Sequence, residues 1–136
     1  SVKDNCDSGQ FIAIQKAGVY ALGHPEITEK ISDKYKRRLD LMVTALNKAG
    51  FSAKMPKGSF YLYVKAPVGT KGGVEFSSAE DASQYLIKEA SISTVPWDDA
   101  GAFLRFSATF AANGKDEEER VLEEVDKRLA SLELVF

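Results

Sequence analysis

Ile27, Ile31, Tyr35, Leu39, Met42 and Leu46 recur at steps of three and four between Pro25 and Gly50. That spacing is the period of one face of an α-helix. Pro25 suits the first turn, where a missing N–H costs nothing, and Glu26 suits the positive N-terminal end. Gly50 supplies the stop. About 23 residues rising ~1.5 Å each reach ~35 Å. This is more than a domain of 136 residues needs internally. A helix of that reach reads as a joint between two domains.

The periodicity changes after Gly50. Residues 51–54 and 59–65 are short β-type runs about Met55-Pro56-Lys57-Gly58, which predicts a hairpin. Ahead of the long helix, 10–22 reads as a short helix with Phe11, Ile14, Gly18 and Leu22 at helical spacing. Residues 67–73 form a flexible loop. Ser77 or Ser78 can cap a helix running to about Ala90, with Ala82, Tyr85, Leu86 and Glu89 as neighbours along it. Two more strands are predicted over 92–95 and 103–110, joined by a loop over 96–102. After Asn113-Gly114, acids at 116–119 open a last helix, with Val121, Leu122, Val125, Leu129 and Leu132 as its buried face. The order predicts one α/β domain of the two-layer α+β kind, with a sheet of about four strands covered by helices. It divides into a leading segment over 1–24, the long helix over 25–50 and a sheet-and-helix part over 51–136. The two leading helices speak against a ferredoxin-like sandwich.

Composition narrows the function classes. With 44% hydrophobic and 28% charged residues the chain can bury roughly two thirds of its unfolded surface. A net charge of −2 gives no electrostatic case for nucleic acid or an anionic membrane. No apolar run approaches the ~20 residues that span a bilayer. One cysteine, Cys6, precludes an internal disulfide framework and fits a reducing compartment, hence the cytoplasm. The chain opens on Ser1, which reads as a processed or truncated product.

Arg105 stands in the middle of Phe103-Leu104-Arg105-Phe106-Ser107, where a half-buried strand alternates its side chains. A guanidinium there can grip a carboxylate with two prongs, or serve a surface or interdomain salt bridge. Gly58-Ser59-Phe60-Tyr61-Leu62-Tyr63 joins a turn glycine to aromatics; Phe60 could wall a pocket, or the aromatics could simply favour a strand. Asn5, Asp7 and Ser8 precede the first helix and could meet a ligand or act as caps. His24, the only histidine, reads as a capping or solvated residue, and no metal site is expected. Asp98 and Asp99 are adjacent acids that could attract a cation. Gly69-Thr70-Lys71-Gly72-Gly73 lacks the phosphate-loop spacing. Lys34, Lys36, Arg37 and Arg38 read as the solvated face of the long helix.

Taken together, Ile92-Ser93-Thr94-Val95-Pro96, a short loop and Phe103-Leu104-Arg105-Phe106-Ser107-Ala108 resemble the end of class I/II aminotransferases, enzymes of the fold-type I pyridoxal-phosphate architecture. Gly58-Ser59-Phe60-Tyr61 is similar to that family's glycine-x-aromatic strand. Asn5-Cys6-Asp7-Ser8-Gly9-Gln10, followed by a helix and a long helix, resembles the segment after the family's catalytic lysine. Asp7-Ser8-Gly9 and 92–96 are similar to the LL-diaminopimelate aminotransferase group, whereas Pro96-Trp97-Asp98-Asp99 stands where relatives more often carry a glycine-rich loop.

The resemblance implies that Arg105 binds the α-carboxylate of an amino acid or 2-oxo acid, that Phe60 lines the substrate pocket, and that Asn5 and Ser8 contact substrate. It implies pyridoxal 5'-phosphate as cofactor, an upstream cofactor-binding domain and a homodimer. The Schiff-base lysine, the aspartate on the pyridine nitrogen and the phosphate loop would all lie upstream of residue 1. The chain would then hold no catalytic or cofactor-binding residue, bind no cofactor and be inactive by itself. The rival expectation is a non-catalytic binding or dimerisation module with an aminotransferase-like small domain.

Overall fold

The computed structural model describes residues 9 and 11–136. The chain divides into two units, 1–34 and 35–136, with the boundary inside the long helix. In the first unit, α1 spans Ile12–Leu22. Its side chains are exposed throughout, Ile14 and Leu22 included, and so is Phe11 just before it. Gly23 closes it by donating to Val19 O and Tyr20 O. His24 stacks on Tyr20 with ring centroids 3.8 Å apart, and its Nδ1 donates to Tyr20 O at 2.6 Å. The lone histidine thus caps a helix end, as expected.

The long helix, α2, spans Pro25–Lys48. Its predicted stripe is buried only in the second half, at Leu39, Met42 and Leu46 with Tyr35 partly covered; Ile27 and Ile31 are 40% and 52% exposed. The stop is a Schellman turn. Gly50 has φ +97°, Phe51 N donates to Leu46 O and Gly50 N donates to Asn47 O. A Cβ at Gly50 would lie 2.9 Å from the Phe136 ring, so both the backbone and the packing demand glycine there.

The remaining elements of the second unit are β1 (Tyr61–Lys65), β2 (Gly69–Thr70), α3 (Ala79–Ala90), β3 (Val95–Trp97), β4 (Phe103–Ser107), α4 (Lys115–Ala130) and β5 (Leu134–Val135). Strands β1, β4 and β3 form an antiparallel sheet in that order, and β2 pairs β5 in a separate ribbon. On the inner face Leu62, Val64, Leu104 and Phe106 are buried. They join Leu39, Met42 and Leu46 of α2, Ala82 and Leu86 of α3, and Leu122 and Leu129 of α4 in one core. Each fully buried leucine contributes about 2 kcal/mol. Helices on one face of a small sheet make the two-layer α/β architecture that the element order predicts.

The pairing differs from the expected hairpin. Residues 51–54 are not a strand, although Phe51 and Ala53 are buried in alternation. Ala53 instead gives its N–H to Asn47 Oδ1 at 2.8 Å and takes Asn47 Nδ2 on its carbonyl at 3.1 Å. An amide side chain does the work of a partner strand, so β1 is left to pair β4. The sheet therefore has three strands rather than about four. Part of the predicted 67–73 loop is β2, paired through Gly69↔Val135 and Thr70↔Leu134. The predicted strand at 92–95 shifts to Val95–Trp97, where Pro96 is tolerated because β3 is an edge.

Candidate functional site

Register decides what surrounds Arg105. On β4 the buried Leu104 and Phe106 alternate with the half-buried Phe103, Arg105 and Ser107. Across the ladders Tyr63 and Val95 lie opposite Arg105, Tyr61 opposite Ser107, and both Lys65 and Trp97 opposite Phe103. Directly paired residues share a sheet face. The face turned away from the core therefore carries Arg105 among aromatic side chains.

Within that face Tyr63 stacks on Phe103, centroids 4.7 Å apart and planes 14° from parallel. The Arg105 guanidinium carbon lies 4.3 Å above the Tyr61 ring centroid. Its Nε is buried and has no hydrogen-bond partner among the described residues. An unmade hydrogen bond on a buried charged group costs on the order of 1–3 kcal/mol or more, and such an exception in a folded protein calls for a reason.

Phe60 stands just before β1 and is 39% exposed. Its ring lies 4.5 Å from Tyr61 and 5.6 Å from Tyr35 on α2. Arg105 and Phe60, singled out separately in the sequence, thus both contact one residue, Tyr61. Asn5 and Ser8 lie outside the described residues.

The expected solvated face at Lys34–Arg38 is corrected at Arg38, which is only 2% exposed. Its Nε donates to Glu118 Oε1 at 2.8 Å. Its Nη1 donates to Ala108 O and Phe110 O at 3.2 and 2.7 Å, and its Nη2 to Ala112 O at 3.0 Å. The guanidinium takes alternate carbonyls of the chain leaving β4, which is why the predicted 103–110 strand ends at Ser107. Ala108 N meanwhile donates to Phe60 O at 2.9 Å. Glu118, read as one acid of a helix start, is buried between Arg38 and Arg37, whose Nε donates to Oε2 at 2.6 Å. The Arg37 hydrogen bond, then that from Arg38, hold its carboxyl below the ordinary value against the opposing effect of burial.

Asp98 is also committed. Its Oδ1 accepts from Ala79 N at 2.7 Å and its Oδ2 from Glu80 N at 3.3 Å, at the N-terminus of α3. Ser78 caps the same helix by accepting from Asp81 N, as its position predicts. No acid or histidine group suited to a metal occurs among the described residues. Sequence reading missed Tyr61, Tyr63, Arg38 and Asp98 as partners. The alternation of 60–63 carried a signal for the tyrosines, but only the register links them to Arg105.

The profile of the family described as aminotransferase class I and II matches residues 9–125. The chain belongs to the class I and II aminotransferases. This aminotransferase chain is 61% identical, over its full length, to 34% of the LL-diaminopimelate aminotransferase of Methanococcus maripaludis. It is 58% identical, again over its full length, to 34% of the enzyme of that name from Methanocaldococcus jannaschii. Among solved structures it is similar to the aspartate aminotransferase of Rhizobium meliloti, with a TM-score of 0.70 and 27% identity over 88% of this chain and 31% of that one. The chain thus spans about a third of the length of these relatives. Its α/β architecture is that of fold-type I aminotransferases.

The family's cofactor is pyridoxal 5'-phosphate, and the described site can be tested for it. The sheet face around Arg105 offers one fixed cation, several aromatic rings, a hydroxyl at Ser107 and, at its far end, Lys65. It contains no carboxylate for a pyridine nitrogen. These donors fit a carboxylate ligand and do not by themselves fit the cofactor.

Proposed function

We propose that this chain is the substrate-carboxylate-binding part of a pyridoxal-phosphate-dependent aminotransferase. In this reading Arg105 grips the α-carboxylate of the amino acid and of the 2-oxo acid in turn, and Phe60 walls the pocket. The observation that carries it is the buried Nε of Arg105, without a hydrogen-bond partner among the described residues, on an aromatic sheet face. A carboxylate accepts two parallel N–H···O bonds from one guanidinium and would satisfy that donor. The identities of 61% and 58% to proteins named LL-diaminopimelate aminotransferase support LL-diaminopimelate as amino donor; glutamate as the companion amino acid is proposed on the family resemblance alone. Asn5 and Ser8 are proposed substrate contacts on the family resemblance alone.

Pyridoxal phosphate supplies the electron sink for the chemistry at Cα. The chain's own task is geometric. With the carboxylate fixed by Arg105, rotation of the substrate is restricted and the Cα–H bond is held in one direction. The cofactor-binding part belongs, in this proposal, to the portion of the relatives' length that the chain does not span, and the whole enzyme works as a homodimer in the cytoplasm. Among the described residues no helix is long and apolar enough to cross a membrane.

The test is Arg105→Ala in the full-length protein, assayed with LL-diaminopimelate and 2-oxoglutarate. Removing one partner of a desolvated charge pair costs about 2–5 kcal/mol, so KM should rise and kcat/KM should fall by roughly 30-fold to several thousandfold. Near-normal kinetics would overturn the assignment.

A further inference from the structure

The guanidinium of Arg105 does not rest on the residue directly opposite. On β1 that residue is Tyr63, whose ring is already engaged face to face with Phe103. Arg105 leans instead to its diagonal neighbour, Tyr61, the partner of Ser107. Diagonal pairs across an antiparallel ladder are ~7–8 Å apart at Cα, within reach of a long side chain over an aromatic ring.

We infer that Tyr61 is a positioning residue, which aims the Arg105 guanidinium at the substrate's carboxylate. The inference rests on the reading of Arg105 given above. A tyrosine face suits this task because it attracts a cation without offering it a competing carboxylate. An acidic side chain in the same place would hold Arg105 more tightly, but it would neutralise the charge that the ligand needs. The aromatic platform fixes the direction of the guanidinium and leaves its N–H donors to a carboxylate.

The platform has ring neighbours of its own. Tyr61 meets Phe60 at 4.5 Å, and Phe60 meets Tyr35 of α2 at 5.6 Å. Tyr61 N donates to Ser59 Oγ at 3.1 Å, and Phe60 O accepts from Ala108 N. The order Tyr35, Phe60, Tyr61, Arg105 is a continuous run of ring and cation contacts from helix to ligand site. In this arrangement Phe60 both walls the pocket and braces the platform.

The experiment compares Tyr61→Phe with Tyr61→Leu and Tyr61→Met in the full-length protein, with LL-diaminopimelate as donor and 2-oxoglutarate as acceptor. Phenylalanine keeps the ring face, so KM should stay within about twofold of the native value. Leucine and methionine remove it, and KM should rise about threefold to thirtyfold with kcat much less affected. A merely structural role would lower the active fraction, reducing apparent kcat while leaving KM alone. Thermal melts establish that each variant is folded; should the leucine variant fail, the methionine variant supplies the same comparison.

A double-mutant cycle completes the test. In an Arg105→Ala background Tyr61→Leu should raise KM by less than it does in the native background. Unchanged KM in the leucine and methionine variants, or a phenylalanine variant as impaired as they are, overturns the role of Tyr61. If Arg105→Ala raises KM and the Tyr61 variants do not, Tyr61 alone is rejected. If Arg105→Ala leaves KM unaltered, the reading of Arg105 itself falls.

Discussion

Arg38 and Glu118 are separated by 80 positions in the chain, yet Arg38 Nε lies 2.8 Å from Glu118 Oε1, with each side chain 2% exposed. The pair ties α2 to the first turn of α4. Through the carbonyls of Ala108, Phe110 and Ala112 it also holds the chain that leaves β4. Arg38 further covers the Phe110 ring, its guanidinium carbon 4.5 Å from the centroid.

Breaking this pair from one side should be severe. Glu118→Ala leaves the Arg38 charge buried without its counter-ion, a change that typically costs about 3–5 kcal/mol. Chemical denaturation of the intact protein should show that loss. Arg38→Lys should also destabilise, since one ammonium cannot reach Glu118 and three separate carbonyls in the fork's geometry. A loss below about 1 kcal/mol, the range of exposed ion pairs, would contradict the burial of the pair.

The same pair predicts an acid-sensitive stability. Hydrogen bonds from Arg37 and then Arg38 hold the Glu118 carboxyl below its ordinary 4.5 in the folded protein. A carboxyl with a depressed folded value contributes its full stability above the unfolded value and loses it as pH falls through the folded one. Stability should therefore decline on acidification below about pH 4.5. Glu118→Gln should be less stable at neutral pH and show a shallower decline over that acidic window. Parallel pH dependences in the two proteins would rule Glu118 out as a contributor.

Asp98 gives a separate prediction. Its carboxylate caps Ala79 N and Glu80 N from a loop 19 and 18 positions away, beside the local cap supplied by Ser78. Asp98→Ala should cost about 1 kcal/mol, and Asp98→Asn less, because the amide oxygen can still accept. Thermal or urea unfolding measures both. Equal losses in the two variants would mean that charge near the helix N-terminus, rather than hydrogen bonding, carries the effect.

The elements were legible where the information is local. Helical spacing, Pro25, Gly50 and Ser78 set the limits of α2 and the start of α3, and each acts through its own backbone or the next few residues. Arg105 was legible as a strand residue among apolar neighbours. The false hairpin came from the same kind of reading. Residues 51–54 alternate in burial as a strand does, but Asn47 answers their backbone from the helix before them. Alternation reports which side of a segment is covered, not what its hydrogen bonds pair with. Arg38 was misread for a related reason. A basic run on a helix is solvated unless a distant acid and free carbonyls converge on one member, and none of those lies nearby in the sequence.

The sequence by itself determined the helices, their order and the strands that carry Tyr61–Lys65 and Arg105, because periodicity, caps and turn residues act over a few positions. Only the tertiary structure decided that β1 pairs β4, that Tyr61 lies under Arg105, and that Arg38 and Asp98 spend their charges inside the fold. Those outcomes depend on register and on groups tens of residues apart. Moving β1 by one residue along β4 would turn its tyrosines to the core and its leucine and valine outward.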